Sequence, residues 1–283
     1  MEHREYTARS TENGRVLLLT DIHNNGHDYY GVGNDPRMDF MCCSLAAQYE
    51  KSPFDAVFCL GDYSLDFWEW GDGGSFLHDP PVSRTRDFAE RFLPRFPAET
   101  FIIPGNHEQY GSAKWAEITG ADREYSVVYG EHVFAMLDTF ADGLDPAEDS
   151  DGIYSGVNTE YLREILASHP DKDVLLCAHF IDFDRESEEF RELVQSEPRI
   201  RAAFTGHIHI STAVVLGESW RNLPVFFCGN YSYHRTGRND SGRYYGNVFG
   251  SFVSGRSGCW GFRVLELGGG RLCTDYVRTD PAD

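Results

Sequence analysis

Basic side chains are scarce: 25 Lys and Arg stand against 45 Asp and Glu, a net charge of −20 over 283 residues. A surface of that sign repels nucleic-acid backbones and anionic membranes at long range. It excludes a nucleic-acid duplex as partner, together with the basic track that a DNA nuclease presents. A small phosphorylated substrate stays open, because metal ions invert the field locally. No apolar run approaches the length of a membrane span, and Val16 to Leu19 is too short and too polar in its flanks for a secretory leader. The seven cysteines include no C-x-x-C pair. Cys59, Cys177, Cys228 and Cys273 lie in apolar strand-like runs and Cys42 and Cys43 in a helical one, which predicts buried free thiols and a reducing, cytoplasmic location. No linker, repeat or low-complexity tract divides the chain, so one domain over residues 1–283 is expected.

Short apolar runs recur with amphipathic segments between them. Val16 to Thr20, Ala56 to Leu60, Phe101 to Ile103, Val174 to Ala178, Ala202 to Thr205 and Val225 to Cys228 predict buried strands. Met38 to Tyr49, Arg84 to Phe96 and Thr159 to Ser168 predict helices, the last with Asn158 or Thr159 as cap and Pro170 as stop. Alternation of this kind predicts an α/β layered fold. Tyr125 to Tyr129 with His132 to Leu137, and Gly261 to Leu267 with Arg271 to Arg278, are expected hairpins, which makes the sheets mixed.

Five short blocks that end these strands carry side chains suited to metals: Asp21-Ile22-His23, Gly61-Asp62, Gly105-Asn106-His107-Glu108, Ala178-His179 and Gly206-His207-Ile208-His209. A dinuclear site draws its donors from distant parts of a chain, where strands stop and loops begin. Asp21 and His23 are two apart, as are His207 and His209, and in extended backbone such residues project to the same side. Carboxylate and imidazole donors suit borderline divalent ions such as Mn, Fe or Zn, whereas an all-oxygen set points to Mg or Ca. The absence of thiolates argues against a closed structural zinc site.

The order D-x-H, G-D, G-N-H-E, H, G-H-x-H, running from Asp21 to His209, resembles the calcineurin-like metallophosphoesterase superfamily. The resemblance implies two mixed β-sheets packed face to face and flanked by helices. It implies that Asp21, His23 and His209 hold one metal, that Asn106, His179 and His207 hold the other, and that Asp62 bridges both. Two ions about 3.5 to 4 Å apart would carry a bridging hydroxide that attacks phosphorus in line with the leaving oxygen. His107 would protonate the leaving alkoxide, a contribution of about two to four orders of magnitude. Glu108 would either orient His107 or bond to nearby backbone.

Departures narrow the activity. Serine/threonine protein phosphatases carry an Asp three residues after the bridging Asp and an Arg before G-N-H-E; here those positions are Leu65 and Pro104. Purple acid phosphatases need a Tyr iron ligand where Leu65 stands, so a tyrosinate colour is not expected. Asp66 reads as a solvated loop acid.

Two loops bear on substrate, and a third does not. Asp66 to Pro81 mixes Phe67, Trp68, Trp70 and Phe76 with glycines, and packs on the body or walls an aromatic or sugar moiety. Tyr231 to Gly258 gathers Tyr231, Arg235, Arg238 and Arg243, which either fork and stack on a substrate or pair with surface acids. Asp138 to Ser155 reads as a solvated acidic loop. The expected function is dinuclear metal-dependent phosphoester hydrolysis, leaning to phosphodiester or nucleotide-like substrates. The alternatives are a phosphomonoesterase, for small molecules or proteins, and a non-catalytic metal-binding scaffold of the same fold.

Overall fold

The structure is a computed structural model that describes residues 4–11, 14–26, 33–67, 83–140, 152–232, 243–249, 251–256, 260–268 and 270–279. One sheet of five strands runs in the order β14 (Arg271–Arg278), β13 (Gly261–Gly268), β2 (Arg15–Leu19), β3 (Ala56–Leu60), β4 (Glu99–Ile103). Strands β2, β3 and β4 are parallel, and β13 pairs antiparallel with both β2 and β14. A second sheet of seven follows the order β1 (Glu5–Thr7), β5 (Tyr125–Tyr129), β6 (His132–Leu137), β7 (Asp173–Ala178), β8 (Ile200–Thr205), β10 (Pro224–Phe227), β9 (Ala213–Val215). Its β6, β7, β8 and β10 are parallel, with antiparallel pairs β5–β6 and β9–β10. Both sheets are therefore mixed, as expected.

Alternation of side chains sorts each strand between two cores. Val16 and Leu18 point into the layer between the sheets with Ala56, Phe58, Leu60, Leu175, Cys177 and Phe204. Leu17 and Leu19 face the other way, onto Met38, Met41 and Leu45 of α1 (Asn34–Lys51). On the far side of the seven-stranded sheet, Leu176 and Ala178 pack with Leu162 and Ile165 of α4 (Thr159–Ser168) and Phe190 of α5 (Glu188–Ser196). The result is helix, sheet, sheet, helix. Asn158 caps α4 through a hydrogen bond from the Tyr161 amide, the role read from the sequence.

Some expectations are corrected. The helix expected from Arg84 to Phe96 is α2 (Arg84–Asp87), a π turn (Phe88–Phe92) and a 3₁₀ turn (Leu93–Arg95), because Pro94 has no N–H to continue the ladder. The short α3 (Ser112–Thr119), α5 and the hairpin of β11 (Arg243–Val248) with β12 (Ser251–Arg256) lie outside the elements expected from the sequence. Cys42, Cys59, Cys177 and Cys228 are buried free thiols, but Cys43 and Cys273 are exposed, since each lies on the outward face of its element. No described helix is long and apolar enough to cross a membrane.

Candidate metal centre

The blocks sit where strands end. Asp21 and His23 follow β2, Asp62 follows β3, Asn106 and His107 follow β4, His179 follows β7, and His207 and His209 follow β8. All seven candidate ligands and His107 come from the C-terminal ends of parallel strands, where the two sheets open toward one face. Asp21, His23, Asp62, His207 and His209 have φ of 53°, 50°, 56°, 65° and 55°. Five non-glycine residues in the left-handed region at one place is the concentration of strain that functional sites hold. The extended geometry expected for both pairs, Asp21 with His23 and His207 with His209, is thereby corrected: the chain turns sharply past Leu19 and again past Thr205. The turn brings His23 Nε2 to 3.9 Å from Asp21 Oδ1.

Asp62 is the centre of the arrangement. Its Oδ1 accepts the His107 N–H at 3.1 Å. Its Oδ2 lies 3.2 Å from His179 Nε2, 3.4 Å from His23 Nε2 and 3.8 Å from His107 Nε2. Asn106 Oδ1 is 2.9 Å from His179 Nε2 and 3.0 Å from His207 Nδ1. His209 Nε2 is 2.9 Å from Asp21 Oδ1, whose Oδ2 accepts from Thr20 Oγ1 at 2.8 Å and the His207 N–H at 2.9 Å. Possible donor atoms thus fall into three groups able to hold a cation: Asp21, His23 and His209; Asp62, His179 and His207; and His23, Asp62 and His107.

The surroundings prepare these atoms. His179 Nδ1 bonds to the Leu60 carbonyl at 2.7 Å, which fixes its proton there and leaves Nε2 facing the carboxylates. Burial lowers the basicity of His23, to about 4, and of His207, to about 3, so both rings are neutral donors at pH 7. Burial also disfavours the His179 cation, but Asp62 and Asp21 outweigh it and lift the ring to about 9. Burial opposes ionisation of Asp21 too, yet His209 beside it brings its carboxyl to about 2. Buried carboxylates crowded by imidazoles fit divalent cations.

Glu108, left open by the sequence, bonds to backbone. Its carboxylate accepts the N–H groups of Asp62 and Gly105, each at 2.8 Å, and of Ser64 at 3.0 Å. Burial and the charge of Asp62 push its carboxyl up to about 8. Asp66, expected to be solvated, is instead buried and accepts the Arg84 and Thr85 N–H groups and the Tyr110 hydroxyl, so it caps α2. Phe67 packs edge-on to Tyr110 with ring centres 4.8 Å apart, and the rest of that aromatic loop lies outside the described residues.

Among the expected substrate residues, Arg235 and Arg238 lie outside the described residues, as do Asp142 to Asp151. Arg243 opens β11 opposite Arg256, at the far end of the hairpin from the Phe249 turn. Tyr231 is corrected: it is fully buried in the core beside α1 and shares a hydrogen bond with Thr279 Oγ1 at 2.5 Å. Its ring belongs to packing. Sequence reasoning missed the aromatic rim at the other side. Phe180, directly after His179, stands 4.7 Å from the His207 ring, with Tyr154 5.9 Å and Phe249 6.3 Å from Phe180. Phe180, Tyr154, Phe249 and His207 are all half-buried, so the centre reaches solvent here.

A calcineurin-like phosphoesterase family model matches residues 14–211. The chain belongs to the calcineurin-like phosphoesterase family. As a member it is a metal-dependent phosphate ester hydrolase. The phosphoesterase fold also appears in solved structures. One is GAP50, described as the anchor in the inner membrane complex of Plasmodium, at 12% identity and TM-score 0.58, covering 96% of this chain and 87% of that one. Another is purple acid phosphatase PPD1 from yellow lupin seeds, at 15% identity and TM-score 0.58, covering 96% of this chain and 52% of that one, so this phosphoesterase spans about half the lupin enzyme. No curated protein matches the chain at a significant level. The Leu65 position that should carry a tyrosine in a purple enzyme is buried, and the single hydroxyl proton of Tyr63 nearby is shared between the Cys59 and Ile103 carbonyls, each 2.8 Å away.

Proposed function

We propose that this phosphoesterase holds two divalent ions, one through Asp21, His23 and His209, the other through Asn106, His179 and His207, with Asp62 shared, and that His107 delivers the proton to the leaving oxygen. One observation carries the reading: Asp62 Oδ2 lies within 3.8 Å of imidazoles from three separate blocks, while Asp21 with His209 forms a flanking pair. Bound there, Mn, Fe or Zn would supply Lewis acidity and a nucleophile derived from water at neutral pH. The protein's own part is positional. Asp62 Oδ1 fixes the His107 backbone, which sets the ring beside the shared carboxylate, where an ester oxygen departing from the phosphoryl group would pass.

The finer reading is a phosphodiester or nucleotide-like substrate. Its support is the half-buried rim of Phe180, Tyr154 and Phe249 beside His207, which offers ring faces to an organic group attached to the phosphoryl. Phe249 is the turn of the β11–β12 hairpin, so the segment from 231 to 258 meets the rim through that turn. Metal analysis with anomalous scattering, and assays of the Mn-loaded protein on chromogenic mono- and diesters, test both levels. Two ions at the named side chains with faster diester turnover is the expected result. One ion, or density at other side chains, overturns the ligand assignment; faster monoester turnover overturns the substrate class alone. Asp62→Asn should lose both ions.

A further inference from the structure

We propose that the buried ion pair of Arg123 and Asp138 is a positioning device that sets the His107 loop against the opposite wall of the centre; the inference rests on His107 acting as the leaving-group acid. Neither residue belongs to a ligand block. Arg123 lies in the turn between α3 and β5, and Asp138 follows β6. Their side chains are 6% and 8% exposed, with Nε 2.6 Å from Asp138 Oδ2.

The remaining bonds of the pair give its purpose. Arg123 Nη1 donates to the Glu108 carbonyl at 3.3 Å and to the Tyr110 carbonyl, so the guanidinium grips the chain immediately after His107. On its other side the same loop is held by the Glu108 carboxylate through the Gly105 and Asp62 amides. Asp138 turns its second oxygen to the Phe140 N–H at 3.1 Å. The Phe140 ring lies 6.0 Å from that of His179 and 6.4 Å from that of His207. One buried pair therefore ties the backbone beside the acid to the ring that walls the Asp62, His179 and His207 group.

A lysine cannot reproduce this. The planar fork serves a carboxylate and two carbonyls at once, whereas an ammonium is a point charge. Burying an ion pair rarely adds stability in itself. A positional role explains its presence, because a displacement of about 1 Å at a reacting group can lower the rate about a hundredfold.

The test compares two phosphate esters with the Mn-loaded full chain: a p-nitrophenyl ester, whose leaving group needs no proton, and an alkyl ester, whose leaving group does. For Arg123→Lys, metal content and KM should match wild type, kcat on the alkyl ester should fall about tenfold to a hundredfold, and kcat on the p-nitrophenyl ester should change less than about threefold. Asp138→Asn, which keeps an oxygen for the Phe140 amide, should show the same split more weakly, and decides the matter if the lysine variant does not fold. His107→Ala is the reference for a full split. Equal losses on both esters, or loss of metal, overturn the role of the pair while leaving a His107 split intact. If His107→Ala shows no split, the acid assignment fails and the inference falls with it.

Discussion

Glu108 Oε2 accepts the backbone N–H of Asp62 at 2.8 Å, so the residue after the candidate acid holds in place the carboxylate that three imidazoles surround. The same carboxylate takes the amides of Gly105 and Ser64, and thereby joins the loops that follow β3 and β4. Replacing Glu108 by Ala strands three buried donors, each worth roughly 1–3 kcal/mol, which predicts a loss of about 3–9 kcal/mol in chemical denaturation. Glu108→Gln keeps one acceptor oxygen and should lose less than half as much. Equal stability of Ala variant and wild type would mean the loops hold themselves.

Glycines before the ligands set how closely the blocks approach. A Cβ on Gly105 would stand 2.2 Å from Asp62 Oδ1 and 2.5 Å from its amide nitrogen, and one on Gly206 would stand 2.0 Å from Thr20 Oγ1 and 2.5 Å from Asp21 Oδ2. If two ions are held as proposed, Gly105→Ala should weaken both more than tenfold, because it displaces the Asp62 carboxylate, whereas Gly206→Ala should weaken chiefly the ion at Asp21. Gly120→Ala is the control: its Cβ meets nothing within 4 Å, and its φ of +74° makes the change a backbone strain of about 1 kcal/mol with metal affinity unchanged. Metal titration by calorimetry separates the three.

Away from the centre, Glu124 gives a pH signature. Burial lifts its carboxyl to about 7, against a hydrogen bond from Asn158 Nδ2 that works the other way. The folded state thus binds a proton that the unfolded state releases between about pH 4.3 and 7. Stability from this group is present below about 4.3 and is lost as pH rises through 7. Glu124→Gln should flatten that limb, making the variant more stable than wild type at pH 7.5 by up to roughly 3–4 kcal/mol and nearly equal at pH 4.5. A parallel pair of pH–stability curves would refute it.

Much of this arrangement was legible in the sequence because buried parallel strands are continuous apolar runs and each ends on a polar block. Ala56–Leu60 and Thr159–Ser168 were read with the bounds they have. The ligand candidates were visible as residue types in order, whereas the close approach that the glycines ahead of Asp62, Asn106 and His207 allow shows only in the structure. What escaped reading depends on contacts distant in sequence. Arg123 looks like any surface arginine until Glu108, Tyr110 and Asp138 surround it. Asp66 reads as solvated because its partners Arg84, Thr85 and Tyr110 are 18, 19 and 44 residues away in the sequence. Tyr231 sat in a run of arginines and tyrosines, yet its backbone amide donates to Thr20 and Asp21, which draws the ring into the core.

With Tyr231 in the core, Phe180 is the ring that faces the open side beside His207. Its carbonyl is pinned by Thr139 Oγ1 at 2.6 Å, and its ring is tilted 41° to His207 at 4.7 Å, half-buried on the open side of the centre. Stacking of an aromatic group on such a ring is worth about 0.5–1.5 kcal/mol. Phe180→Ala should therefore raise KM for a nucleotide-like diester about two- to tenfold while leaving KM for a methyl ester unchanged. Truncating Arg235, Arg238 and Arg243 together distinguishes the other part of that segment: if the arginines grip a second charged group, the triple variant raises KM for the diester and adds to Phe180→Ala. If Phe180→Ala shifts both esters alike, the ring only supports His207, and the aromatic rim reads nothing of the substrate.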